Sequence, residues 1–210
     1  MKKQMTIILS ALLALGVWAS AGVQEVSAQN TTTYTVKRGD TLWKISVRYK
    51  RGLTEIIEAN PQFENPDLIY PGQKVNIPRI EEIKRIEHQV IQLTNQERAK
   101  YGLGPLKPDW QLSRVARYKS ADMRDSGYFS HTSPTYGSPF TMMRNFNISY
   151  RAAAENIAMG QRSPEEVVKA WMNSSGHRKN ILNGNYTHIG VGYAAGGSGG
   201  KYWTQMFIKK

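Results

Sequence analysis

Glycine and proline residues divide the segment 34–78 into four short pieces, and this punctuation constrains the fold more than any other feature of the chain. Gly39 favours a turn, Pro61 disfavours helix at the residue before it, and Pro71 and Gly72 favour a second turn. The outer pieces have the alternation of strands, whereas the inner pieces space apolar residues as helices do. The pattern therefore predicts the order strand, helix, helix, strand.

The two inner pieces are predicted to be short helices. The first spans residues 42–49 and the second residues 53–59, with Gly52 separating them. Apolar residues recur at helical spacing in both pieces, so that each helix has one face suited to a small core: Leu42, Ile45 and Tyr49 in the first, and Ile56 and Ile57 in the second.

Three separated motifs in this segment occur in the order typical of a LysM domain. They read Tyr34-Thr-Val-Lys-Arg-Gly-Asp-Thr-Leu-Trp-Lys-Ile-Ser46, Ile57-Glu-Ala-Asn-Pro61 and Ile69-Tyr-Pro-Gly-Gln-Lys-Val-Asn-Ile-Pro78. Residues 34–78 thus resemble a LysM domain over its full length. The resemblance implies binding of N-acetylglucosamine-containing glycans, either peptidoglycan or a chitin-like polymer.

The same resemblance places the glycan groove between the loop after the first strand and the loop before the last strand. The residues carried over are Gly39, Asp40, Thr41 and Leu42 in the first loop and Leu68, Ile69, Tyr70 and Pro71 in the second. Backbone amides in tight turns can bond acetamido groups, and apolar side chains can cover the sugar methyl group. The alternative is that these residues only build turns and core, which holds in part for Leu42.

The first residues have the layout of a secretory signal peptide. Lys2 and Lys3 precede an apolar run over residues 5–21, and Val26-Ser27-Ala28 has the small residues of a cleavage site. We predict a signal peptide over residues 1–28, with Ala19-Ser20-Ala21 as a second cleavage option, followed by a flexible start over 29–33. A retained anchor is the alternative, but the apolar run is shorter than the roughly 20 residues that a spanning helix needs.

The composition limits the chemistry and the partners. The chain has no cysteine, which excludes a disulfide framework, a cysteine nucleophile and a thiolate metal site. Its net charge of +12 favours anionic partners. In an exported protein these are anionic wall polymers or lipid head groups, and no nucleic acid partner is expected. The alternative is that the charge only keeps the protein soluble.

A charged linker over residues 79–87 merges into the first helix of a second domain, and residues 88–210 are numerous enough to fold independently. The helix that is predicted to start at Pro164 is expected to end before Gly176, which can cap it in a left-handed conformation. Helices are predicted to end at Lys100, to span 110–125 and to run from Pro164 through Trp171, and strands are predicted over 189–193 and 202–208 on either side of a glycine hairpin.

Several motifs of the second domain occur in the order typical of the CAP superfamily in its cysteine-free bacterial form. They are Leu93-Thr-Asn-Gln-Glu-Arg98, Phe129-Ser-His131, Glu155-Asn-Ile157, the segment from Trp171 to Leu182, Ile189-Gly-Val-Gly192 and Tyr202-Trp-Thr-Gln-Met-Phe207. Residues 84–210 resemble this family throughout. The resemblance implies an α/β/α sandwich around a three-stranded antiparallel sheet, so the whole chain is predicted to be α+β.

In that family a cleft holds two histidines and two acidic residues, and His131, Glu155 and His177 match three of these four by motif. Glu155 lies in an apolar stretch, where a lone carboxylate is costly and a histidine is a natural partner. The fourth residue would fall within 172–175, which contains no acid. This departure weakens a mechanism based on paired carboxylates. His88 is predicted to lie on the surface, and His188 is a further candidate for the cleft.

The cleft admits more than one chemistry. His131 and His177 can hold Zn²⁺ with an open position for a ligand, or they can form a hydrogen-bonded cluster that only shapes a groove. The family resemblance implies zinc, sterol or fatty-acid binding in some members. The sequence favours a secreted protein held non-covalently at the cell wall, with a binding cleft rather than an enzyme site. A metal-assisted wall hydrolase or protease and a structural protein of the spore envelope are the alternatives.

Overall fold

The computed structural model describes residues 31–210. The signal peptide predicted over 1–28 lies outside the described residues, as do the first two residues of the flexible start. The described chain is α+β, as predicted, and consists of a small N-terminal module followed by a larger sandwich. No helix within residues 31–210 combines the length and apolar character needed to cross a membrane.

The N-terminal module has the predicted order of strand, helix, helix and strand. Its elements are β1 (Thr31–Thr35), α1 (Leu42–Tyr49), α2 (Leu53–Glu58) and β2 (Lys74–Pro78), and β1 pairs antiparallel with β2. The threonines at 31–33 were expected to be flexible, but they pair with Asn76, Ile77 and Pro78. β-Branched residues favour extended backbone, and an available strand edge orders them.

A side-chain cap begins α1, and one buried side chain joins α2 to the sheet. Thr41 Oγ1 accepts a hydrogen bond from the Lys44 backbone N–H at 3.1 Å, which caps the helix. Asn60 is buried, its Nδ2 donates to the Ile56 and Asn76 carbonyls, and its Oδ1 accepts from the Asn76 N–H, each at 2.7 Å. The core of this module is small: Val36, Leu42, Ile45, Ile56, Val75 and Ile77.

The larger module is an α/β/α sandwich. Its helices are α3 (Glu81–Lys100), α4 (Trp110–Asp125), α5 (Pro139–Asn145), α6 (Pro164–Asn173) and α7 (Ser175–Ile181), and its strands are β3 (Lys107–Pro108), β4 (Ala152–Met159), β5 (His188–Ala195) and β6 (Lys201–Lys209). The sheet order is β3-β5-β6-β4. The three long strands are antiparallel, as predicted, and the two-residue β3 adds a parallel edge beside β5.

Helices pack on both faces of this sheet. α4 and α5 cover one face through a cluster that includes Leu112, Met142 and Met206, and α3 and α6 cover the other through a cluster that includes Trp171 and Trp203. Gly176 was expected to cap α6 in a left-handed conformation, but it lies inside α7. Ser174 ends α6 with extended backbone instead, and the chain turns directly into the next helix.

Candidate functional site

The two loops predicted to bind glycan differ in how their side chains are used. Leu42 is only 2% exposed and packs in the core, so it can offer a glycan only its backbone. Asp40 Oδ2 accepts hydrogen bonds from the Tyr34 hydroxyl at 2.6 Å and the Lys37 N–H at 2.9 Å. These bonds, led by that from Tyr34, lower the pKa of Asp40. The first loop is therefore held by its own hydrogen bonds, and it can offer a glycan mainly backbone groups.

Apolar side chains on this module remain open to solvent. Leu68 and Tyr70 of the second loop are 53% and 56% exposed, and Ile69 beside them is half-buried. Trp43 is 60% exposed on α1, and the sequence analysis did not single it out. Its helical position, on the face opposite Leu42 and Ile45, could have shown that this indole has no place in the core.

The centre of the predicted cleft in the larger module is a contact between His131 and Glu155. His131 Nδ1 lies 2.7 Å from Glu155 Oε1. The glutamate side chain is 1% exposed, whereas the imidazole is 53% exposed. With the carboxylate ionised, Nδ1 donates the hydrogen bond to Oε1. The pair therefore combines an oriented imidazole at the surface with a buried carboxylate beneath it.

Burial raises the pKa of Glu155, and the hydrogen bond from His131 and the charge of Lys119 only partly oppose this effect. Its second oxygen, Oε2, is buried and has no hydrogen-bond partner among the residues that the structure describes. Buried carboxylate oxygens are normally satisfied, so an unpaired one is a position where a donor from a ligand or water would be stabilised.

Lys119 on α4 supports the histidine loop from below, and sequence reasoning missed it. The residue is 1% exposed. Its Nζ donates to the Tyr128 hydroxyl at 3.0 Å, the Ser130 carbonyl at 2.7 Å and the His131 carbonyl at 3.0 Å. These three bonds hold the backbone that carries His131. No local pattern marks this lysine, because its partners lie about ten residues further along the chain.

We expect Lys119→Met to destabilise the protein by about 2 kcal/mol, because it removes the three hydrogen bonds that this buried ammonium group donates. Met keeps the length of the side chain, so the loss reflects hydrogen bonds rather than a cavity. Urea unfolding followed by tryptophan fluorescence measures the change. Lys169→Met, at an exposed position of α6, is the matched control, and an equal effect in both variants would contradict the assignment.

His177 approaches the same region on α7. Asn156 Nδ2 donates to the His177 carbonyl at 3.2 Å, and Asn180 Nδ2 donates to Asn156 Oδ1 at 2.8 Å. These bonds fasten α7 to β4 beside Glu155. Burial lowers the pKa of His177, and the charge of His131 lowers it further. The structure thus pairs His131 with Glu155 and places the backbone of His177 beside β4, and the role of His177 in the site stays a prediction.

The other two histidines lie elsewhere. His188 Nδ1 lies 2.8 Å from Thr187 Oγ1, and its charged neighbours are Lys210, Asp109 and Lys107. His188 is therefore not part of the cleft. His88 is exposed on α3, as predicted.

The side chains of the cleft match a zinc site poorly. Among residues 31–210, no group of three or more His, Asp or Glu side chains is arranged to hold a metal ion. His131 and His177 supply two imidazoles, and the segment 172–175 supplies no carboxylate. The zinc ion at these histidines stays a prediction.

Fold and site together define a class: a small βααβ module joined to an α/β/α sandwich that carries a histidine–glutamate pair. The sequence pattern of the CAP family, the cysteine-rich secretory protein family, matches residues 91–207, and that of the LysM domain matches residues 34–78. The chain belongs to the CAP family and carries an N-terminal LysM domain, a glycan-binding module. This combination indicates a wall-associated protein.

Individual relatives agree with this assignment. The chain is 41% identical to the uncharacterized protein YkwD of Bacillus subtilis (strain 168), over an alignment covering 100% of both. A crystal structure of an extracellular protein containing an SCP domain from Bacillus anthracis superposes with a TM-score of 0.56 at 37% identity, covering 67% of this chain and 47% of that one. An outer surface protein of Borrelia burgdorferi shares the fold, with a TM-score of 0.55 at 22% identity over 62% of this chain and 94% of that one.

Proposed function

We propose that this protein is exported, stays non-covalently at the cell wall by binding peptidoglycan through its LysM domain, and uses the His131–Glu155–His177 cleft to bind a ligand. The glycan-binding character of the LysM domain supports the first part. The exposed Leu68 and Tyr70 provide apolar surface beside the braced first loop, as an acetamido sugar requires.

One observation carries the second part: Oε2 of Glu155 is buried and has no hydrogen-bond partner within residues 31–210. A group that donates a hydrogen bond to this oxygen would satisfy it and would sit next to the exposed imidazole of His131. Such a ligand needs at least one hydroxyl or amide donor. The half-buried His177 on the neighbouring helix would contact the same ligand from another side.

Hydrolysis is the second candidate. An imidazole that a carboxylate orients can act as the general base that activates water. The residues favour binding over this chemistry. Hydrolysis by acid and base needs a second titratable group to protonate the leaving atom, and the segment 172–175, where the family places its second acid, reads Met-Asn-Ser-Ser. His177 would have to take that role alone.

Incubation of the full chain with purified peptidoglycan sacculi separates the two candidates. We expect no soluble fragments by mass spectrometry from the wild type. A small molecule retained by the wild type in native mass spectrometry should be lost in Glu155→Gln. Glu64→Gln makes the same chemical change at an exposed glutamate of the LysM domain and is the control that should behave as the wild type. Fragments released by the wild type and not by Glu155→Gln would make the protein a hydrolase.

A further inference from the structure

A cavity of about 380 Å³ lies where the LysM and CAP domains meet. Its wall combines Lys50 from the end of α1, Lys84 and Glu87 from α3, and Ser113 and Arg117 from α4. None of the glycan-loop residues and none of the cleft residues lines it. The cavity is thus separate from both sites described above, and its volume is in the range of small-ligand pockets.

The two acidic residues in the wall are already neutralised. Glu87 is buried, and its two oxygens accept hydrogen bonds from Arg117 Nε at 2.8 Å and Arg117 Nη2 at 2.7 Å. Asp109 Oδ2 accepts from Lys210 Nζ at 2.6 Å, while its Oδ1 caps α4 at the Leu112 N–H. Neither carboxylate is therefore free to balance further positive charge in the cavity.

Two lysines supply that further charge. Within residues 31–210, neither Lys84 nor Lys50 has a carboxylate within ion-pair distance, and Lys84 Nζ donates only to the Tyr49 carbonyl, at 3.3 Å. Burial lowers the pKa of Lys84 to about 8, and the charges of Arg51, Arg117 and Lys50 add to this effect. The cavity wall therefore carries an excess of positive charge under mutual repulsion.

We propose that this junction cavity binds a phosphodiester anion between Lys50 and Lys84. A phosphodiester offers charged oxygen acceptors to both ammonium groups and fits the volume together with a short polyol on either side. The wall offers ammonium groups rather than a free guanidinium. Lysine ammonium groups bind phosphate as point charges, and Arg117, the one arginine among the described lining residues, is already bound through two nitrogens by Glu87.

Lys50 belongs to the LysM domain and Lys84 to the first helix of the CAP domain, so a bound anion would bridge the two. Anion binding would add to the direct links between them, which include the ion pair of Arg51 with Glu81 at 2.9 Å. The proposal is independent of the His131–Glu155 cleft. It applies to a wall polymer with phosphodiester links and to a phospholipid head group, since both present the same chemistry.

The test is titration of the full chain with glycerophosphoglycerol, a soluble phosphodiester, by isothermal calorimetry. We expect Lys84→Met and Lys50→Met each to weaken binding at least ten-fold. Lys169→Met removes an equal charge from exposed α6 and should leave binding unchanged. Without ligand, Lys84→Met should also melt at the same or a higher temperature than the wild type, because it relieves repulsion. Lys50 is exposed, so its variant tests the site even if Lys84→Met folds poorly.

Vesicles identify the source of the phosphate. Sedimentation with phosphatidylglycerol vesicles, with phosphatidylcholine as reference, should depend on Lys84 if a lipid head group enters the cavity, and should not if the natural ligand is a polymer. The proposal is overturned if the wild type does not bind glycerophosphoglycerol, if both cavity variants bind it as well as the wild type does, or if Lys169→Met weakens binding as much as they do.

Discussion

Removal of residues 34–78 is expected to lower the fraction of protein that sediments with purified peptidoglycan sacculi at least ten-fold. The LysM domain provides the exposed Leu68 and Tyr70 and the backbone of the 39–42 loop, and no other part of the described chain resembles a glycan-binding module. The remaining residues keep their own core clusters, which share no residue with the core of the LysM domain. The shortened chain should therefore stay folded.

A point variant tests whether one exposed side chain of the LysM domain contributes to sedimentation. Tyr70→Ala removes an exposed ring and leaves the core intact, so it should weaken sedimentation without changing the melting temperature. Tyr101→Ala removes a ring of similar exposure, 59%, from the CAP domain and serves as its control. Full sedimentation of the shortened chain, in a sample with a cooperative melting transition, would show that the CAP domain or its charge holds the protein at the wall.

Replacement of Gly192 by alanine is expected to destabilise the CAP domain by about 3 kcal/mol, near the upper end for overpacking a core. A Cβ atom at this position would lie 2.1 Å from the Ala116 carbonyl carbon and 2.1 Å from the Arg117 nitrogen. Both are backbone atoms of α4, so no side-chain rotation can make room. The helix must move away from the sheet, which opens the core that β5 and α4 share.

Urea unfolding followed by tryptophan fluorescence measures this loss, since Trp171 and Trp203 are buried in the CAP domain. The matched control is Gly104→Ala, because a Cβ there meets no atom within 4 Å and the backbone is not left-handed. It should change the free energy of unfolding by less than about 0.5 kcal/mol. Equal stability of the two variants would mean that α4 does not approach the sheet this closely.

The larger elements could be predicted from sequence where their signals are local. α1 and α4 have the predicted bounds, because Thr41 and Asp109 cap them with side-chain oxygens three residues before the bonded N–H. The β5–β6 hairpin was predicted because glycines separate two alternating segments. β4 was not assigned as a strand, because its run of alanines has neither strong strand propensity nor alternation.

The candidate site could be predicted from the sequence only in part. Motifs named His131, Glu155 and His177, but a motif carries no distance, and the 2.7 Å contact between His131 and Glu155 spans 24 residues of chain. Lys119 would be placed on the surface by any composition rule, since lysine is rarely buried. It is buried because three acceptors, which only the folded loop brings together, surround its ammonium group.

The sequence alone thus determined which modules this chain contains and their order, through motifs that resemble known families. It also determined the elements with local signals, because caps, turns and apolar periodicity act over a few neighbouring residues. Only the tertiary structure decided which polar groups meet. It paired His131 with Glu155, left Glu155 Oε2 without a hydrogen-bond partner in the described part of the chain, and placed Lys50 and Lys84 in the wall of one cavity at the domain junction. The reason is physical: burial and electrostatic interaction depend on distance in space, which a one-dimensional pattern does not contain.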